Sequence, residues 1–299
     1  MDASPDRALI LMRSKLFVPG SRPELFHKAL ASQADAISVD LEDAVQEARK
    51  GEARALVGQF LEQNGASVTA KTVVVRVNAM ASLHFEADVR AVAWSGLDVL
   101  NLPKVESAGE IKAASAMLAD LERERGLPYR IGILANIESP KGLRRAADIA
   151  AADPRIIGLQ LGFGDLFEPL GIDRQDVMAV RQIQLAVRLA AGEAGVDAYD
   201  GAFAAITDAQ GFRTEAEHAS RLGFRGKSCI HPSQVTAANQ AFCPKADEIA
   251  FASRVITAWN ETEQSGRGAI MVEGRMIDLP FAERAQAVLA MARRLGLSA

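Results

Sequence analysis

The chain has 299 residues, 49% hydrophobic and 24% charged, which is enough to bury a full core as one large α/β domain or two small ones and excludes a disordered chain. Its 34 basic and 38 acidic residues give a net charge of −4 with no basic run, so neither a nucleic-acid footprint nor a polybasic membrane anchor is expected, and the partner is expected to be a small molecule. Two cysteines, Cys229 and Cys243, exclude a disulfide framework and fit a reducing cytosol.

The N-terminal MDASPDRALILMRSK lacks the basic start and long apolar region of a signal peptide, and no apolar stretch approaches the roughly 20 residues of a membrane span; a soluble, cytoplasmic protein is expected. Short β-rich runs then come in order: residues 15–18, 36–40 (AISVD), 73–77 (VVVRV), 99–102, 130–137, 156–161, a weaker run over 198–206, and 226–230. Between them lie helical patterns. Ser21-Arg22-Pro23-Glu24 and Ser107-Ala108-Gly109-Glu110 read as capping boxes, and Ser139-Pro140 as an N-cap followed by proline at the first helical position. Eight repeated βα units predict a closed (β/α)8 TIM barrel over residues 1–240. The remaining 241–299 exceed what a barrel needs. Helices are expected over 232–240 and 245–264, then a glycine-flanked hairpin in SGRGAIMVEGRMID, then an amphipathic helix over 280–295, together a C-terminal extension acting as a lid or an oligomerisation arm.

The residues just beyond each strand carry the functional reading. The first strand leads into Pro19-Gly20-Ser21-Arg22, the second into Asp40-Leu41-Glu42-Asp43, the third into Arg76-Val77-Asn78, and the fourth into Pro103-Lys104-Val105-Glu106. The fifth ends in Glu138, the sixth in Asp165, the seventh leads to Asp208 and the eighth to His231-Pro232. One mouth of the barrel is thus expected to be densely ionisable, and the C-terminal ends of barrel strands are where such folds keep their chemistry. Glu138 and Asp165 are 27 residues apart, one strand-loop-helix unit, which places them side by side.

Two neighbouring carboxylates with open positions suit Mg²⁺, and Gly162 and Gly164 leave room for a ligand. Zinc fits less well, because His27, His84, His218 and His231 show no ligand spacing. The competing reading makes both carboxylates helix caps that support the barrel. Arg76 interrupts VVVRVNA where alternation favours an apolar residue; it either holds a substrate carboxylate or carbonyl, or makes an internal salt bridge with Glu42 or Asp43. Lys104 divides the same way. His231, before proline at a strand end, reads as a positioned structural donor ahead of a general base, and Cys229 as a small buried hydrophobe.

The segments RSKLFVPGSRPELFHKAL, AISVDLEDAV, VVVRVN, NLPKVES, LANIESPKG, LGFGDL, GFRGKSCIHPSQ and EGRMIDLPFAERA, in this order over residues 13–295, resemble the citrate lyase β-subunit/malyl-CoA lyase family of CoA-ester lyases. The resemblance implies a TIM barrel that assembles as a homo-oligomer, a trimer or hexamer. It also implies that Glu138 and Asp165 are Mg²⁺ ligands and that Arg76 holds the α-keto acid or its carboxylate. Phe17, Arg22 and Lys28 would contact the CoA moiety, and Asp278, in GRMIDLP, would reach a neighbouring subunit's site as acid/base.

The implied reaction is cleavage, or formation, of a C–C bond in a 3-hydroxyacyl-CoA such as malyl-CoA or citramalyl-CoA, giving acetyl-CoA and an α-keto acid. Three alternatives stay open: a citrate lyase β subunit acting on an acyl-carrier-protein thioester, a malyl-CoA-type thioesterase, and a pyruvate-class metal aldolase. The last carries a histidine after its second strand where this chain has Glu42-Asp43.

Overall fold

The apolar runs close into a barrel of eight parallel strands in a computed structural model that describes residues 10–64, 71–263 and 268–297. The strands are β1 (Ser14–Pro19), β2 (Ala36–Asp40), β3 (Thr72–Arg76), β4 (Val99–Leu102), β5 (Gly132–Ile137), β6 (Ile156–Leu161), β7 (Asp197–Asp200) and β8 (Gly226–Cys229). Each pairs with the next in sequence, and β1 closes the ring on β8 through Lys15 opposite Ser228 and Leu16 opposite Cys229. The helices of the same unit are α1 (Phe26–Leu30), α2 (Lys50–Asn64), α3 (Phe85–Val92), α4 (Ala108–Arg125), α5 (Pro140–Arg144), α6 (Ala146–Ala150), α7 (Phe163–Phe167), α8 (Val177–Glu193), α9 (Ala209–Arg221) and α10 (Val235–Ala241). This is the TIM barrel expected from the alternating pattern.

Two apolar layers hold it. The larger lies between strands and helices and includes Ile37, Val39, Val73, Val75, Ile133, Ile137 and Leu159 with Val57, Leu61, Val89, Leu118 and Val187. The smaller plugs the interior at the N-terminal end: Met12, Ala36, Val74, Val99, Leu134, Ile157 and Tyr199. Above this floor the interior positions turn polar, because residues two apart on a strand share a face. Ala36 is succeeded by Ser38 and Asp40, Val74 by Arg76, Val99 by Asn101, and Leu134 by Asn136; all of these but Arg76 are buried.

Local signals decide the connections. Ser107 caps α4 by accepting from Glu110 N while the Glu110 carboxylate accepts from Ser107 N, the reciprocal box expected there. Ser139 caps α5 by accepting from Gly142 N at 3.0 Å. The Ser21–Glu24 box does not form. Arg22 N donates to Pro19 O in a turn, Arg22 becomes the N-cap of a short 3₁₀ segment, Pro23–Leu25, and the Glu24 carboxylate accepts from Arg22 Nε at 2.9 Å instead. The weak seventh run is a strand only over Asp197–Asp200, and Asp208 lies beyond it as the cap of α9, accepting from Gly211 N at 2.8 Å.

Residues 243–299 form a second compact unit. It contains α11 (Ala246–Glu263), β9 (Ile270–Val272), β10 (Arg275–Ile277) and α12 (Leu279–Arg294), around a core of Ala252, Val255, Trp259, Val272, Ile277, Ala282 and Ala285. The antiparallel β9–β10 pair turns at Glu273-Gly274, both at positive φ, as a two-residue hairpin requires. Gln264 and the first residues of the expected hairpin segment, 265–267, lie outside the described residues. Among the described residues no helix is long and apolar enough to cross a membrane.

Candidate active site

The register of the barrel assembles the polar mouth. Pairing of β2 with β3 sets Asp40 opposite Arg76, and pairing of β3 with β4 sets Arg76 opposite Asn101. Pairing of β5 with β6 aligns Ile137 with Leu161, which brings the residues just beyond them, Glu138 and Gly162, together. A Cβ on Gly162 would overlap Glu138 Cγ and lie 2.8 Å from its Oε1, so only glycine leaves the Glu138 carboxylate its space.

Arg76 is the hub. Its Nε and Nη2 donate to the two oxygens of Asp40, each at 2.7 Å, and Nη1 lies 2.9 Å from Glu42 Oε2 and 3.4 Å from Asp43 Oδ2. The expected salt bridge to Glu42 or Asp43 is present, yet the fork belongs to Asp40. The guanidinium also lies over the Phe17 ring, 5.2 Å from its centroid. Burial disfavours its charge, but Asp40, Glu42 and Asp43 more than compensate and raise its pKa. Asp40 answers this: burial works against its charge, and Arg76 with the backbone N–H groups of Glu42 and Ala44 holds its pKa below the usual aspartate value. Those two N–H bonds fold the Leu41–Ala44 loop around the Asp40 carboxylate. Lys50 ties the loop from below, donating to Leu41 O and Glu42 O at 3.0 Å each and to Asn78 Oδ1 at 2.6 Å.

Lys104 is the second cation. Its backbone sits at φ 52°, in the left-handed region uncommon for a side-chain-bearing residue, and its Nζ donates to Glu42 Oε1 at 2.8 Å. The same Nζ lies 3.4 Å from Asp165 Oδ1 and 3.7 Å from Asp43 Oδ1. Partial burial opposes its charge and these carboxylates raise its pKa.

Glu138 is buried at 3% exposure. Burial first, then the negative charges of Glu42 and Asp165, push its pKa up to about 7 against the opposing pull of Arg76 and Asn136. Asn136 Nδ2 donates to Oε1, whereas Oε2 is buried without a hydrogen-bond partner. Asp165 is 42% exposed in the first turn of α7. Neither carboxylate is a helix cap: Ser139 caps α5, and Gly162 precedes α7 without a side-chain cap. The reading of both as barrel-supporting caps is therefore set aside.

Five carboxylates (Asp40, Glu42, Asp43, Glu138 and Asp165) thus face two cations, Arg76 and Lys104. An oxygen-rich cluster with an excess of negative charge and one buried carboxylate oxygen to spare is suited to a hard divalent cation. The residues present fit such a group: Glu138 Oε2 and Asp165 offer oxygens of the kind it takes.

The other sequence-predicted residues are spread more widely. Phe17 stands in the mouth beside Arg76, but Arg22 and Lys28 are exposed on the segment after β1, Arg22 ion-paired with Glu24 at 2.9 Å. His231 caps a 3₁₀ turn, its Nδ1 accepting from Ser233 N at 3.2 Å and lying 2.8 Å from Ser233 Oγ, a structural role. Cys229 is buried, and burial pushes its thiol pKa up to about 12, as expected of an inert hydrophobe. Asp278 belongs to the second unit, at the N-cap of α12, where its side chain makes no capping bond and its Oδ1 is buried without a hydrogen-bond partner. Sequence reasoning missed four interior residues: Lys15, Asn101, Asn136 and Gln160. Asn101, Asn136 and Gln160 each carry a signal that could have found them, a polar residue in an apolar run, and Lys15 and Asn136 stand two residues before Phe17 and Glu138 on the same strand face.

The sequence profile of the HpcH/HpaI aldolase/citrate lyase family matches residues 13–232. The chain is 36% identical over 287 residues to citrate lyase subunit beta of Leuconostoc mesenteroides subsp. cremoris, covering 94% of this chain and 93% of that protein. It is 36% identical over 284 residues to a (3S)-malyl-CoA thioesterase of Cereibacter sphaeroides, covering 95% of each. Among solved structures, protein CitE of Mycobacterium tuberculosis in complex with magnesium, acetoacetate and coenzyme A superposes with a TM-score of 0.74 at 33% identity, covering 97% of this chain and 99% of that one.

Proposed function

Since the chain belongs to the HpcH/HpaI aldolase/citrate lyase family and is a carbon–carbon lyase of the citrate lyase β type, we propose that it cleaves or forms the C–C bond of a 3-hydroxyacyl-CoA such as malyl-CoA or citramalyl-CoA in a Mg²⁺-dependent reaction. The observation that carries the reading is Glu138 Oε2, buried and unpartnered beside Asp165 in a mouth with more carboxylates than cations. Glu138 and Asp165 are the proposed ligands, and a Mg²⁺ held there would supply Lewis-acid stabilisation for charge on the keto oxygen.

The chain's own residues do the rest. Asp40 occupies one edge of the Arg76 guanidinium, which fixes its plane; with Nη1 against Glu42 and Asp43, the Nη2 N–H that Asp40 does not use is the proposed contact for the substrate carboxylate. Phe17 lies under that guanidinium and, with Arg22 and Lys28 on the following segment, is the proposed CoA-facing side. In the cleavage direction the substrate hydroxyl passes its proton to solvent, the C–C bond breaks with its electron pair passing to the thioester enolate, and protonated Asp278 delivers a proton to that carbon and recovers one from solvent, giving acetyl-CoA and an α-keto acid. In the reverse direction Asp278 takes the proton from the acetyl-CoA methyl. A placed acid/base contributes about 10²–10⁴-fold. The assembly we propose is a homotrimer or hexamer, with Asp278 serving a neighbouring subunit; light scattering on the purified chain tests it.

The deciding experiment is mass spectrometry of products after incubation with malyl-CoA, citramalyl-CoA and citryl-CoA, with Mg²⁺ or with EDTA. Metal-dependent acetyl-CoA plus one keto acid supports the lyase and identifies its substrate. Free CoA would indicate the thioesterase activity that the name of the Cereibacter sphaeroides relative states. No turnover of any free thioester, with turnover of the acyl-carrier-protein ester, would make the chain a citrate lyase β subunit.

A further inference from the structure

Beneath the carboxylate mouth lies a polar chain inside the barrel that the proposed reaction does not use. Lys15, 2% exposed on β1, points inward and its Nζ donates to Asn101 Oδ1 at 3.3 Å. Asn101 Nδ2 donates to Asn136 Oδ1 at 2.6 Å, and Asn136 Nδ2 donates to Glu138 Oε1. The three bonds run from β1 across the interior to β4 and then to β5, with every donor directed toward Glu138.

The direction of the chain is fixed. Asn101 Nδ2 also donates to Leu134 O at 3.0 Å, so both its hydrogens are committed, and turning the amide over would set a carbonyl against a carbonyl. Its Oδ1 therefore faces Lys15 and needs a donor there, which a lysine supplies and an apolar residue does not. A buried amine is costly; burial and the charge of Arg76 push the Lys15 pKa well below the ordinary lysine value, against the pull of Asp40 and Glu138. The Lys15 amine also lies 4.7 Å from the Phe17 ring centroid. The Lys15 Nζ bond to the Asn101 amide points along the chain toward Glu138.

We propose that Lys15, Asn101 and Asn136 are positioning residues for Glu138: their one-directional hydrogen-bond chain claims Oε1 and leaves Oε2 as the oxygen that meets the divalent cation. This rests on the proposed role of Glu138 and Asp165 as metal ligands. It explains why one oxygen of this buried carboxylate is tightly held while the other has no partner. Partners that orient a metal ligand typically contribute about 10- to 100-fold in metal affinity.

The test is isothermal titration of Mg²⁺ into the purified full chain, without substrate, for the wild type, Lys15→Met, Asn136→Leu, the double variant and Glu138→Gln, with circular dichroism melts to follow the fold separately. Each single variant is expected to lose about 10- to 100-fold in Mg²⁺ affinity. The double variant is expected to lose no more than Asn136→Leu alone, because Lys15 acts through Asn136. Additive losses, or wild-type affinity in Asn136→Leu, would overturn the chain while the metal site stands. No saturable Mg²⁺ binding by the wild type, or unaltered binding by Glu138→Gln, would overturn the metal reading and this role with it. If Lys15→Met does not fold, Asn101→Ala takes its place in the same cycle with the same outcomes.

Discussion

Asp40 and Arg76 stand opposite each other on neighbouring strands and close a two-bond fork, 2.7 Å on each arm, with the Asp40 side chain almost wholly buried. Asp40→Asn leaves the guanidinium with only Glu42 and Asp43 and is expected to cost about 3 kcal/mol in urea unfolding. Arg76→Lys keeps a charge but loses the fork, and is expected to reduce turnover more than stability. Because the Asp40 pKa is depressed, its contribution is present above the unfolded aspartate value and disappears as pH falls through the lower folded value. In Asp40→Asn that part of the acid sensitivity should be missing.

Metal affinity should depend on pH through Glu138. With its pKa at about 7 the carboxyl is largely protonated at pH 6 and ionised at pH 8, so Mg²⁺ affinity is expected to rise about 10-fold over that interval. The stability of the metal-free protein should move the other way. Between the unfolded glutamate value and about 7 the folded state holds the extra proton, so raising pH destabilises it. Titration calorimetry at three pH values and parallel melts check both signs; a flat affinity profile would exclude Glu138 as a ligand.

Gly162→Ala puts a Cβ where the Glu138 side chain lies. Expelling the carboxylate should abolish measurable Mg²⁺ binding, and overpacking should cost about 1–3 kcal/mol in unfolding free energy. Gly164→Ala, where a Cβ meets nothing within 4 Å, is the matched control and should leave both unchanged.

Asp278→Ala should keep the melting temperature and Mg²⁺ affinity of the parent, since that side chain makes no capping hydrogen bond on α12. Turnover should fall by about 10²–10⁴-fold. Full activity would remove Asp278 from the mechanism.

The barrel was legible because six of its strands are written as apolar runs and the helices between them carry caps such as Ser107 and Ser139. β7 was blurred, since DAYD offers few apolar residues and Asp200 turns its charge outward to a fully buried Lys227 at 2.5 Å. The carboxylates at strand ends were readable from position alone. Their partners were not, because which residue faces Arg76 depends on register between strands separated by a helix, and that register chose Asp40. The interior chain was hidden for the same reason: Lys15, Asn101 and Asn136 sit on three strands, and each alone looks like an irregularity in an apolar run. At Ser21 the local pattern misled, because the turn from Pro19 places Arg22 at the cap.

Strand β5 and the residue after it condense the design into one short peptide. Ile133, Ala135 and Ile137 pack outward against the helical layer, while Leu134 plugs the floor, Asn136 carries the chain and Glu138 reaches the mouth. A library of variants over these six positions would therefore separate cleanly under two selections. Retention of folded protein alone constrains 133, 134, 135 and 137 to apolar side chains and tolerates much at 136 and 138, whereas selection for turnover closes 136 and 138 as well. Descendants of this chain could thus exchange their chemistry at alternate residues of one strand without renegotiating the core that carries it.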